Sequence, residues 1–152
     1  MRKIFVPFII LIILILGFRF VLAVLNTQNK PPEHSKEELY QDMTLSLLLP
    51  YIQNEVDKYY STYLTQPPMV YPYTVYVINA ERPNGYRTFF FRLKLQVNSY
   101  RGPHINVGLD YLTVTIDGSG NVKIEEFEHI ESYELPSNYE DIIKKGYKNP
   151  IP

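Results

Sequence analysis

A histidine set between Gly102-Pro103 and the run Ile105-Asn106-Val107-Gly108-Leu109-Asp110 is the residue of this sequence best placed to do chemistry. Glycine and proline constrain the backbone before His104, and a constrained backbone holds an imidazole in one orientation, as a ligand site or a general base requires. Asp110 is near enough in the chain to orient that ring. A competing reading has His104 bonded to a loop carbonyl while Gly102-Pro103 only turns the chain. Two further cations, Arg82 and Arg87, flank a turn and can grip a carboxylate or phosphate bidentately, or else form part of a solvated ion-pair face. His104, Asp110, Arg82 and Arg87 are therefore the candidate binding residues.

Other chemistries find less support. Glu125-Glu126-Phe127-Glu128-His129-Ile130-Glu131 places Glu126 and Glu128 on one face of a strand and His129 on the other. A metal needs three or more converging ligands, so no metal site is assigned. Asp117-Gly118-Ser119-Gly120-Asn121 lacks the later ligands of a calcium loop and reads as a hairpin turn. No serine sits in a G-x-S-x-G context, so no catalytic residue is assigned and no cofactor is expected.

The elements that must position these residues follow from hydrophobic periodicity. Ser35 with Glu38 reads as a capping box ahead of Leu45, Leu48, Ile52, Val56, Tyr59 and Tyr63, one apolar stripe of a long helix. Pro50 falls inside it and predicts a kink near Leu49 or two helices meeting there. After Pro67-Pro68 the period becomes two, with a first strand in residues 71–78. Arg82-Pro83-Asn84-Gly85 supplies a turn, and Phe89, Phe91, Leu93, Leu95 and Val97 form the apolar face of a second strand. A third strand is expected over residues 111–117 and a fourth from Val122 to about Ile130. Residues 137–145 read as a short C-terminal helix. The order predicts an α+β fold: a long N-terminal helix packed on a four-stranded antiparallel meander, of the cystatin or nuclear-transport-factor-like layer type.

Residues 1–25, MRKIFVPFIILIILILGFRFVLAVL, set the compartment. Arg2 and Lys3 lead into an apolar run, the pattern of an export signal. Residues 4–18 make about 22 Å of helix, short of a hydrocarbon core of about 30 Å and suited to a cleavable signal. Continued to Leu25, the run reaches about 33 Å and spans if Arg19 snorkels. Both forms place the rest outside: residues 26–34 as a polar linker and 35–148 as one exported domain, secreted or held single-pass in the cell membrane through residues 4–25. Three of the 15 cations precede residue 26 and all 16 anions follow it, so the exported part is acidic, which argues against a nucleic-acid partner. No cysteine is present, so packing alone holds the fold. Fourteen tyrosines and eight phenylalanines supply the core, with tyrosine left over for a surface.

The stretches SKEELYQDMTLSLLLPYI (35–52), YPYTVYVINAERPNGYRTFFFRLKLQV (71–97), RGPHINVGLDYLTVTI (101–116) and FEHIESYELPSNYEDIIKK (127–145) together resemble the domain-of-unknown-function family 3888. The resemblance implies a Gram-positive, Bacillus-like source and a secretory context, and it implies no reaction. The expected role is an extracytoplasmic binding or interaction module at the bacterial cell envelope; the alternative is a small hydrolase or isomerase with its site between helix and sheet near His104.

Overall fold

Ser35 begins the first helix as an N-cap, its Oγ accepting the Glu38 N–H at 3.0 Å. The reciprocal half of the expected box is displaced by one residue, since the Glu38 carboxylate accepts the N–H of His34, not of Ser35. The computed structural model describes residues 30–152 apart from Pro103, so the expectations for residues 1–25 lie outside the described residues. Helix α1 (Lys36–Tyr60) is a single element of 25 residues that runs through Pro50, where a second helix had been one expectation. Pro50 is exposed, and so is Ser46, whose carbonyl loses its helical donor on the solvent side. The buried stripe is Leu45, Leu48, Ile52, Val56 and Tyr60; Tyr60 takes the place expected for Tyr59, and Tyr63 lies beyond the helix.

Four strands follow: β1 (Val75–Glu81), β2 (Phe91–Arg101), β3 (Ile105–Ile116) and β4 (Val122–Ser132), each antiparallel to the next in the order β1-β2-β3-β4. Three boundaries differ from the sequence reading. Tyr71 and Tyr73 precede β1, around a 3₁₀ turn at Pro72–Thr74. Phe89 precedes β2 and is 67% exposed, so the apolar face of that strand is Leu93, Leu95 and Val97 with Phe91 half-buried at its end. Residues 105–110 are strand, not loop: β2 turns straight into β3 around Gly102, whose φ of 60° suits glycine. The C-terminal helix is a 3₁₀ element, Ser137–Ile142, and the core reaches on to Ile151.

Register decides which side chains meet. One inward row reads Val77–Leu95–Leu112–Phe127, and the next Val75–Val97–Asp110–His129. The outward rows between them, Lys94–Thr113–Glu126 and Gln96–Tyr111–Glu128, are polar. Helix α1 therefore covers one face of the sheet while charged side chains cover the other. Glu126 and Glu128 do face away from His129.

This register predicts a contrast. Leu95→Ala empties a fully buried position and should cost about 2–5 kcal/mol in a denaturant melt. Lys94→Ala, losing only an exposed contact over the Tyr111 ring at 5.2 Å, should cost no more than about 1 kcal/mol. Equal costs would place the strand one residue out of phase.

Candidate functional site

Asp110 sits in the inward row of β3 with no exposed surface, an acid where the neighbouring rows hold valine and leucine. A buried carboxylate requires donors, and two side chains supply them. From β4, His129 Nδ1 lies 2.7 Å from Oδ1. From the last turn of α1, the Tyr60 hydroxyl donates to the same group, 3.1 Å from Oδ2 and 3.3 Å from Oδ1. Burial pushes the Asp110 carboxyl above its ordinary range, while the bonds from His129 and Tyr60 pull it back in part. Burial and the neighbouring Asp110 charge drive the Tyr60 phenol far upward, so it remains a donor at neutral pH.

An ionised Asp110 is an acceptor only, which places the imidazole proton on Nδ1 and leaves Nε2 as an acceptor. Nε2 lies 2.9 Å from Ser132 Oγ. The sequence carboxylate–imidazole–hydroxyl is the arrangement that withdraws a proton from an attacking serine. Ser132 has one proton and two acceptors for it, since Oγ is also 3.3 Å from the Pro152 carbonyl oxygen. Tyr59 closes the group: its ring stacks on His129 at 4.7 Å, and its hydroxyl donates to the same Pro152 oxygen at 2.9 Å.

Two local features make the constellation possible. Residues three apart on a regular strand face opposite sides, yet His129 and Ser132 meet. The pairings Leu109↔Glu131 and Asp110↔His129 leave Ile130 as an extra residue, a β-bulge that re-phases β4 and returns Ser132 to the inward side. The second feature is Gly108, across from Ser132. A Cβ there would collide with the Tyr60 hydroxyl and stand 3.0 Å from Cζ, so glycine lets the phenol pass under β3 to reach Asp110.

Of the four residues singled out from the sequence, only Asp110 belongs to this group. Its histidine is His129, not His104, which is exposed in the turn between β2 and β3. Arg82 and Arg87 are exposed in the connection between β1 and β2. Arg82 lies 4.9 Å over the Phe91 ring and donates to the Thr88 carbonyl, and Arg87 has a φ of 60°. From the sequence His129 stands on a strand face with no partner assigned, and no motif singles out Tyr60 or Ser132. Among the described residues no three His, Cys, Asp or Glu side chains converge as metal ligands.

A second feature lies on the opposite side of α1. Leu39, Tyr40, Met43, Leu47 and Tyr51 are between 44% and 74% exposed, and all point away from the core stripe. Beside them an open groove of about 230 Å³ runs between α1 and β1, lined by Tyr40, Leu45, Val77, Ala80 and Leu93 among others.

The Tyr60–Gly108 fit is testable by a double-mutant cycle on thermal or denaturant stability. Gly108→Ala should cost about 1–3 kcal/mol by overpacking, and Tyr60→Phe about 1–3 kcal/mol by leaving Asp110 short of a donor. With the hydroxyl gone, the alanine should become cheaper by more than about 0.5 kcal/mol; additive costs would show that the two residues do not compete for one space.

No curated protein and no solved structure matches this chain. Residues 40–131 match the family described as Protein of unknown function (DUF3888), a stretch from the second turn of α1 nearly to the end of β4 that takes in Tyr60, Gly108, Asp110 and His129 and stops one residue short of Ser132. The chain accordingly belongs to the DUF3888 family.

Proposed function

We propose that this protein is an extracytoplasmic interaction module, carried to the bacterial cell envelope by residues 1–25 and binding a partner through the outer side of α1. The observation that carries the reading is the set of five large apolar side chains, Leu39, Tyr40, Met43, Leu47 and Tyr51, exposed on the face of α1 turned away from the core. Side chains there lie outside the buried core. Burying a residue such as Leu47 against a partner is worth about 1.5–3 kcal/mol, so a few together supply the energy of a specific contact. The positive start and apolar run of residues 1–25 support the compartment.

The absence of cysteine gives a direct test of location, because a single introduced thiol has no competitor. Ser119→Cys, in the exposed turn between β3 and β4, should react with a membrane-impermeant maleimide on intact cells. Labelling that requires lysis would overturn the export reading.

A serine-dependent hydrolase is the second reading, favoured by the 2.7 Å and 2.9 Å contacts that join Asp110, His129 and Ser132. In that reaction Ser132 Oγ adds to an acyl carbon as His129 Nε2 takes its proton. The proton then passes to the leaving group, and water releases the acyl-enzyme by the reverse path. It ranks second because the same contacts also satisfy a buried carboxylate, which structure alone requires. A fluorophosphonate should label the native protein and not Ser132→Ala if this reading holds; equal absence of label from both removes it.

A further inference from the structure

We propose that the outer face of α1 lies flat on the membrane, its apolar ridge entering the headgroup and upper acyl region of the bilayer. The inference deepens the interaction reading and rests on residues 1–25 holding the chain at the membrane. Leu39, Met43, Leu47 and Tyr51 recur every fourth residue, one ridge about 18 Å long. Tyr40 lies beside it. In a fold of two layers this ridge is the outermost surface on the helix side, so nothing of the sheet stands between it and a flat partner. The opposite surface carries Lys94, Glu126 and Glu128 and is unsuited to lipid.

The placing of two lysines and the tether point the same way. Lys36 lies one turn before Tyr40, and Lys58 lies two turns beyond Tyr51 on the same side; both are exposed, although Lys58 also bridges Glu55 at 2.6 Å. Of the five acids of the helix, Glu37, Glu38, Asp42 and Glu55 fall on its flanks and Asp57 lies past the ridge, bonded by Gln53 Nε2 at 2.7 Å, so the ridge itself presents apolar surface between two cations. With two lysines against five acids the helix is acidic overall, so what suits it to the membrane interface is the apolar ridge with tyrosine at headgroup level and a lysine at each end. The apolar run ends at Leu25 and α1 begins at Lys36, so the intervening ten residues reach at most about 35 Å. Exposed apolar side chains occupy residues 39–51, within the two-thirds of α1 nearer that tether. A partner free in solution would have no reason to prefer that end.

The test uses the full chain in vesicles of phosphatidylcholine with phosphatidylglycerol. Leu47→Cys and, on the opposite face, Lys94→Cys each carry one environment-sensitive fluorophore. Flotation reports anchoring, and quenching by spin-labelled lipids or by aqueous iodide reports what touches the label. The label at position 47 should be quenched several-fold more by lipid than the label at 94, with the order reversed for iodide. Lys36→Glu combined with Lys58→Glu should reduce the lipid quenching at 47 without preventing flotation. A chain that fails to float overturns both the anchoring reading and this proposal. A floating chain whose label at 47 responds to iodide as strongly as the label at 94 overturns this proposal alone. Protection from both quenchers also overturns it: if protection grows with protein density, a second copy covers the ridge, and if it does not, another part of the same chain does.

Discussion

A carboxylate with no exposed surface in the middle of an apolar sheet face is the constraint around which this fold is arranged. Asp110 stands in a row between Val75 and Val97 on one side and His129 on the other, and leaving it without donors would cost several kcal/mol. Both donors come from other elements, Tyr60 from the end of α1 and His129 from β4. Satisfying one group thus fixes where the helix crosses the sheet and the register between β3 and β4. Neighbouring features follow from that requirement: glycine at 108 clears the path of the phenol, and Tyr59 on the adjacent helix position stacks on the imidazole that Asp110 orients. The pair contributes specificity of arrangement more than raw stability, since an apolar replacement of matched shape would avoid the cost of burying charge.

The helix has two apolar sides, and they do different work. Leu45, Leu48, Ile52 and Val56 close the core, and their burial is what makes α1 stable in a chain without disulfides. Leu39, Met43, Leu47 and Tyr51 contribute nothing to that core and raise the free energy of the isolated domain in water. Amphipathic helices in globular folds normally present a polar outer side. The departure is confined to the first two-thirds of the helix; beyond Tyr51 the outer side returns to Asn54 and Lys58.

Element type and order were legible in the sequence because they rest on periodicity. The i, i+3, i+4 spacing of α1 and the alternation of Leu93, Leu95 and Val97 each give an amphipathic pattern that one packing partner satisfies. The C-terminal segment was read as a helix and is a 3₁₀ element, since six residues carry too little pattern to separate the two. Residues 105–110 were read as a loop because Gly102, Pro103 and Gly108 suggested one; Gly108 is in fact a strand residue, set there by the Tyr60 ring. The pairing of Asp110 with His129 was hidden for another reason. It joins residues 19 apart through a hairpin whose register includes an extra residue at Glu125, between the pairings Val114↔Ile124 and Thr113↔Glu126, and bulges leave no signal in composition. Tyr60 was hidden because it neighbours Tyr59, and the two cannot be told apart by type. The apolar outer ridge of α1 was written openly in the sequence but masked by the stronger core stripe.

The extra residue at Ile130 makes the inside and outside of β4 a matter of parity. From Phe127 to His129 the odd positions face the core; past the bulge the even position Ser132 does. Losing Ile130 would restore plain alternation, with Glu131 still outward and Ser132 still inward, whereas losing Glu128 would let Ile130 take the place opposite Asp110 and turn His129 outward. Position 130, which is 42% exposed, is therefore free in identity and even in presence, while the length from Glu126 to His129 is fixed. Descendants of this chain can lose a residue at 130 or in the turn at residues 117–121 and keep the inward set, but a single loss between Phe127 and His129 parts the imidazole from Asp110.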